Sequence, residues 1–132
     1  MDFRAESMEM TRRLTVIALA VCALALFQAP AGGGKVTIKA TGSAGSFQWQ
    51  PDFKHITVGT KVVWKNTTTS THTVKAYTPN WKKNSDIDAN GGKTSKTFKK
   101  KGSYLYRCTQ PGHSSVGSGG CTGMCGEIHV TK

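Results

Sequence analysis

The sequence predicts an all-β fold, a Greek-key β-sandwich of seven to eight strands. Two observations carry this. Between residues 36 and 131, β-branched and aromatic residues alternate with polar ones in short runs, and clusters of Gly, Pro, Asn and Ser cut those runs at close intervals. No stretch of that region holds a helical period long enough for a convincing helix, and no segment repeats.

The start of the chain stands outside this pattern. Basic residues ending in Arg12-Arg13 precede the uncharged run LTVIALAVCALALF, residues 14 to 27, and then Gln28-Ala29-Pro30-Ala31-Gly32. That run is shorter than the roughly 20 apolar residues that span a bilayer, and an A-x-A site follows it. Residues 1–31 therefore read as a cleaved signal peptide and 32–132 as one mature domain. A chain that kept the run would be membrane-associated instead. Both cases place the domain in a periplasm or another extracytoplasmic compartment.

Within the domain, Val36 to Lys39 and Phe47 to Gln50 are the first strands, the second stopped by Pro51. Ile56 to Val58 follows, and Gly59-Thr60 turns the chain into Val62 to Asn66. Thr67 to Thr71 is a polar turn before a strand that runs from Thr73 to Tyr77 beside His72. Residues 78 to 93 keep neither period and read as loop, with one helical turn around Trp81 to Asp86. Strand character resumes at Thr94 to Lys99, and Gly102-Ser103 turns it into Tyr104 to Cys108. Gly126 to Thr131 closes the fold, with Ile128 and Val130 inward and His129 outward. Trp49, Trp64, Phe47 and Phe98 are the expected core, His55 is a surface residue, and Asn66-Thr67-Thr68 matches a glycosylation acceptor.

Lys and Arg number 18 against 7 Asp and Glu, a net charge of +11. Removing residues 1–31 takes three of each sign and leaves that value unchanged. Such a domain attracts acidic partners and anionic surfaces. Nucleic acid is excluded as a partner by export and by the scatter of the lysines, whose longest run is Lys99-Lys100-Lys101. Three cysteines remain after residue 31, and an odd count in an exported chain implies one disulfide and one thiol with another task.

That task is written in YLYRCTQPGHSSVGSGGCTGMCGEIHV, residues 104–130, which holds those cysteines, two of the four histidines and the only methionine after residue 10. Thiolate and thioether sulfur beside imidazole nitrogen is a donor set that suits copper. Tyr104, Tyr106 and Cys108 share one face of their strand, so Cys108 leaves the strand end toward the interior. The turn to His113 returns an imidazole, and Met124 stands just before the last strand. A second nitrogen must come from upstream, and His72 in TSTHTVKAY is the candidate.

In this order the residues resemble the type 1 blue copper, or cupredoxin, family, nearest to its azurin and auracyanin branch and also plastocyanin-like. The resemblance covers most of the domain and rests on ITVGTKVVWKN, His72-Thr73-Val74, YLYRCTQPGH and GMCGEIHV. It implies one copper ion cycling between Cu(I) and Cu(II), with His72, Cys108 and His113 as equatorial ligands and Met124 axial. It also implies a soluble, monomeric one-electron carrier rather than an enzyme, with acidic redox proteins such as cytochromes or oxidases as partners. Four histidines cannot supply the further clusters of a multicopper oxidase. Thr73 and the Thr109 backbone are placed to bond near the Cys108 sulfur, His113 to present its ring edge to solvent, and Arg107 to touch a partner.

One departure stands out. The insert SSVGSGGC puts ten residues between His113 and Met124, where the family has a few, and leaves a backbone oxygen or Gln110 as the alternative fourth ligand. With Cys108 on copper, Cys121 and Cys125 are the expected disulfide. Two further readings compete with the carrier. Cys121-x-x-x-Cys125-Gly-Glu-Ile-His129 has the spacing of the binuclear copper centre of cytochrome oxidase subunit two, which would use both thiolates with His72 and His129. Copper storage or delivery calls instead for a Met- or His-rich, exchangeable site.

Overall fold

The computed structural model describes residues 33–132; residues 1–31, which the sequence reads as a signal peptide, lie outside them. Eleven strands follow in order: β1 (Lys35–Thr41), β2 (Gln48–Gln50), β3 (Phe53–Thr57), β4 (Lys61–Asn66), β5 (His72–Ala76), β6 (Asn84–Ile87), β7 (Lys93–Thr97), β8 (Gly102–Arg107), β9 (Ser114–Gly117), β10 (Gly120–Gly123) and β11 (Cys125–Thr131). One sheet has the order β2-β1-β4-β7, the other β3-β11-β8-β5-β6, and β9 and β10 form a separate hairpin. The all-β sandwich is as expected, with more strands than the sequence suggested.

Alternation decides which face each strand buries. In β1, Ile38 and Ala40 are fully buried while Lys35, Thr37 and Lys39 are exposed, and in β11 Ile128 and Val130 point inward. Trp64 on β4 sits at the centre of the core, with ring centroids of Trp81, Phe98 and Tyr106 at 6.3, 6.4 and 5.3 Å. Gly126 lies opposite Tyr106 in the β11–β8 register, and a Cβ there would overlap the Tyr106 ring. The glycine therefore leaves room for the Tyr106 ring to lie across β11, the neighbouring strand of the same sheet.

Two segments differ from the sequence expectation. Instead of a helical turn at Trp81 to Asp86, Asn84–Ile87 forms β6, an edge strand paired to β5 from His72↔Ile87 to Lys75↔Asn84. Its sequence is polar because only Ile87 is fully buried, and one row of its backbone groups pairs with β5. The Trp81 indole fixes the approach by donating to the Leu105 carbonyl at 3.1 Å. The insert after His113, expected as loop, is the β9–β10 hairpin, with Gly120↔Gly117 at its tip and Gly123↔Ser114 at its base.

Candidate metal centre

His72 opens β5, Cys108 follows β8 directly, and His113 stands in the turn beyond. The fold brings the three together at one end of the sandwich. His72 Nδ1 and His113 Nδ1 are 3.1 Å apart, and the Cys108 Sγ is 3.4 Å from the latter and 3.8 Å from the former. Donors bound to one first-row ion at about 2.0–2.3 Å lie about 3–4 Å from each other, so these separations fit a shared metal. Among the described residues this is the one such group of three His, Cys or carboxylate side chains.

Met124 is fully buried, and its backbone is tied to both neighbours. The Cys108 amide donates to the Met124 carbonyl at 3.0 Å, and the Met124 amide donates to the His113 carbonyl at 2.8 Å. Gln110, the alternative fourth ligand, donates through Nε2 to Thr73 Oγ1 at 3.2 Å. Thr73 in turn donates through Oγ1 to Asp86 and through its amide to the Cys108 sulfur, the latter at 3.3 Å. The Gln110 backbone adds a smaller pull toward the thiolate than Thr73 does.

These contacts matter because the site is buried. Burial pushes the Cys108 thiol up, and the Thr73 and Gln110 backbone bonds oppose that shift by favouring the thiolate. Phe47, expected in the core, is half-buried and closes over the pair of imidazoles, with its ring centroid 4.7 Å from each.

A chain of buried hydrogen bonds fixes which nitrogen of His72 is free. Asn66 Nδ2 donates to the Ser70 and Ile87 carbonyls at 2.7 and 3.1 Å, which orients its Oδ1 toward Thr68. Thr68 Oγ1 donates to that Oδ1 at 2.9 Å and so accepts from His72 Nε2 at 2.7 Å. The proton therefore sits on Nε2, and the Nδ1 lone pair faces Cys108 and His113. Asn66 is wholly buried with its amide consumed, so the glycosylation motif is not an acceptor. Thr68→Val, which keeps the shape and removes the acceptor, should weaken copper binding about 10- to 100-fold, measured by competition with a chelator.

His72 is also held neutral by its surroundings. Burial, and then the neighbouring His113, lower its pKa to about 4. An unfolded chain protonates this group near 6.5, so between about 6.5 and 4 the unfolded state binds the extra proton. The metal-free protein should therefore lose stability as pH falls through that window, and His72→Gln should flatten the loss in denaturant titrations at successive pH values.

The remaining candidates lie elsewhere. Cys121 and Cys125 are joined in a disulfide with Cα atoms 6.1 Å apart. His129 faces outward, bonded through Nδ1 to Ser103 Oγ at 2.9 Å and 5.0 Å from the exposed His55 between ring centroids. Neither bridging thiolate nor His129 thus joins the donor cluster, which removes the binuclear arrangement. Arg107 is half-buried and reaches Ser114 Oγ at 3.4 Å. Lys99 to Lys101 form the turn before β8, at the opposite end of that strand from Cys108.

Comparison with known proteins adds the family. A family model described as copper binding proteins, plastocyanin/azurin family, matches residues 36–131. A purple cupredoxin from Nitrosopumilus maritimus is similar in structure at 22% identity, with a TM-score of 0.54 over 74% of this chain and 99% of its own. A reduced Cu(I) form of an amicyanin variant at pH 4 matches at 21% identity and a TM-score of 0.57, over 74% of this chain and 83% of that one. A copper-containing nitrite reductase from Thermus scotoductus matches at 22% identity and a TM-score of 0.55, over 74% of this chain but only 22% of that one. At these identities the likeness is one of fold. No curated protein sequence matches the chain significantly.

Proposed function

The chain belongs to the plastocyanin/azurin family of copper-binding proteins, and from that premise we infer a one-electron carrier that shuttles between extracytoplasmic redox partners. The observation that carries the reading is the convergence of two imidazole nitrogens and one sulfur in a buried site with a methionine tied beside it. His72, Cys108 and His113 would hold the ion, with Met124 in the weak fourth place. Bound copper supplies the one-electron couple. The protein supplies rigidity: Asn66 and Thr68 orient His72, the Thr73 and Gln110 amides stabilise the thiolate, and Phe47 excludes water.

His113 is the donor residue nearest the surface. It borders a cleft of about 310 Å³ with Ser46, Phe47, Gln48 and Gly112, and no charged side chain lines it. A partner can approach the ring there without desolvating a charge, while the net charge of +11 steers acidic partners from a distance. The exported location rests on the pattern of residues 1–31. A storage role would require an open, exchangeable site, and the full burial of Cys108 and Met124 speaks for retention.

The test combines exchange and retention. Electron transfer from the copper-loaded chain to an acidic redox protein should slow about tenfold or more from low to high ionic strength, while copper stays bound through many cycles. Transfer of the metal itself to an apo-acceptor would replace the carrier with a delivery protein. A rate indifferent to salt would remove acidic proteins as partners.

A further inference from the structure

The positive charge is not spread evenly over the sandwich. The strands of the four-stranded sheet carry Lys35, Lys39, Lys61, Lys65, Lys93 and Lys96 and no carboxylate. Among the described residues all four acids, Asp52, Asp86, Asp88 and Glu127, belong to the strands of the other sheet or directly flank them. Register sharpens this asymmetry. Lys39 lies opposite Lys65, and Lys65 opposite Lys93, so three lysines form one row across three adjacent strands. Lys35 and Lys61 form a second row four residues away.

Neighbouring strands are about 4.8 Å apart, and directly opposed like charges destabilise a sheet. A row of three therefore breaks a local rule with no compensating acid on its own face. Between the rows the outward Val63 is only 9% exposed, and Lys35, Lys61, Lys93, Thr94 and Ser95 surround it in a shallow cavity of about 290 Å³. Three lysines with a threonine and a serine around one cavity offer the cationic and hydroxyl groups that suit the phosphate of a phospholipid headgroup.

We propose that this lysine-ruled face of the four-stranded sheet docks on an anionic phospholipid bilayer and lays the domain on its side with the His113 end left open. The proposal deepens the partner reading above, resting on it for the exported setting. Two features favour a lipid surface over an acidic protein. Protein interfaces are enriched in aromatics and Arg and depleted in Lys, whereas this face offers lysines, threonines and glutamines, and the exposed large apolar residues Phe53 and Val116 lie on other strands. The apolar run 14–27 is also separated from Lys35 by only seven residues, a reach of at most about 29 Å, so a chain that keeps it delivers β1 to the bilayer surface.

Lysine acetylation of the full chain, read peptide by peptide, tests this on vesicles of phosphatidylcholine with and without phosphatidylglycerol. On the anionic vesicles Lys39, Lys65 and Lys93 should react at least about fivefold more slowly than on neutral ones. Salt of about 1 M should erase the protection, and Lys82 and Lys99 to Lys101 should be unaffected throughout. Replacing Lys39, Lys65 and Lys93 with Gln should also expose Lys35 and Lys61, whereas the same replacement of Lys99, Lys100 and Lys101 should not. Equal protection of every lysine, no protection, or protection by an acidic protein alone would overturn the proposal. Acetylation needs no copper, so a metal-free chain gives the same footprint, and the outcome is independent of whether the carrier reading holds.

Discussion

Cys108→Ser should abolish the intense visible absorption of the copper-loaded protein, while Cys121→Ser with Cys125→Ser should retain it. The Cys108 sulfur is the one thiol facing both imidazoles, and a serine hydroxyl offers neither its softness nor its acidity. Loss of a direct donor should exceed the roughly 10- to 100-fold that outer partners are worth in metal affinity. The disulfide is different in kind. It closes a loop of sequence separation 4, which limits its entropic stabilisation to about 2 kcal/mol, and the hairpin keeps its ladder and the Ser115–Thr122 bond of 2.8 Å without it. A double serine variant that stayed folded but was colourless and metal-free would sink the mononuclear site.

Trp64→Ala should cost about 3–5 kcal/mol, a large share of the roughly 5–15 kcal/mol that holds such a domain together. The side chain is fully buried and touches the aromatic set from both sheets, so no neighbour can collapse into the space without leaving its own. Denaturant titration should show a lower midpoint at unchanged slope. The folded fraction should keep its copper spectrum, because the donors hang from β5, β8 and the turns beyond them rather than from β4. A shifted spectrum would mean that Tyr106, which packs on Trp64 two residues before Cys108, transmits the cavity to the sulfur.

Much of this was legible because the deciding residues are periodic. The phase of Tyr104, Tyr106 and Cys108 along one strand is enough to send the thiol inward, and the opposite phase of His129 is enough to send it out. Strand β6 was not legible, since a four-residue edge with one buried side chain leaves no alternation to detect. The β9–β10 hairpin escaped for a related reason: it buries neither face, so glycine and serine served there as well as any patterned sequence. Asn66 and Thr68 presented a surface motif, and only the fold turns them inward to His72. The lysine rows are invisible for the opposite reason. Positions 39, 65 and 93 are far apart along the chain and meet only through register.

The short bond between the Met124 amide and the His113 carbonyl means that the pocket does not measure loop length at all. Along the chain ten residues intervene, yet the two ends of that excursion are pinned 2.8 Å apart, N to O. Gly123, at φ 84°, permits this closure, since a side chain there would run into the His113 carbonyl and the Ser114 backbone. The hairpin is thus a detour whose mileage the destination never sees. An excursion that keeps Ser114, whose hydroxyl donates to the Cys108 carbonyl, and returns through a left-handed glycine could be spliced in its place, shorter or longer, with the same closure. The loop is in that sense a socket, and its contents are free to vary with the company the protein keeps.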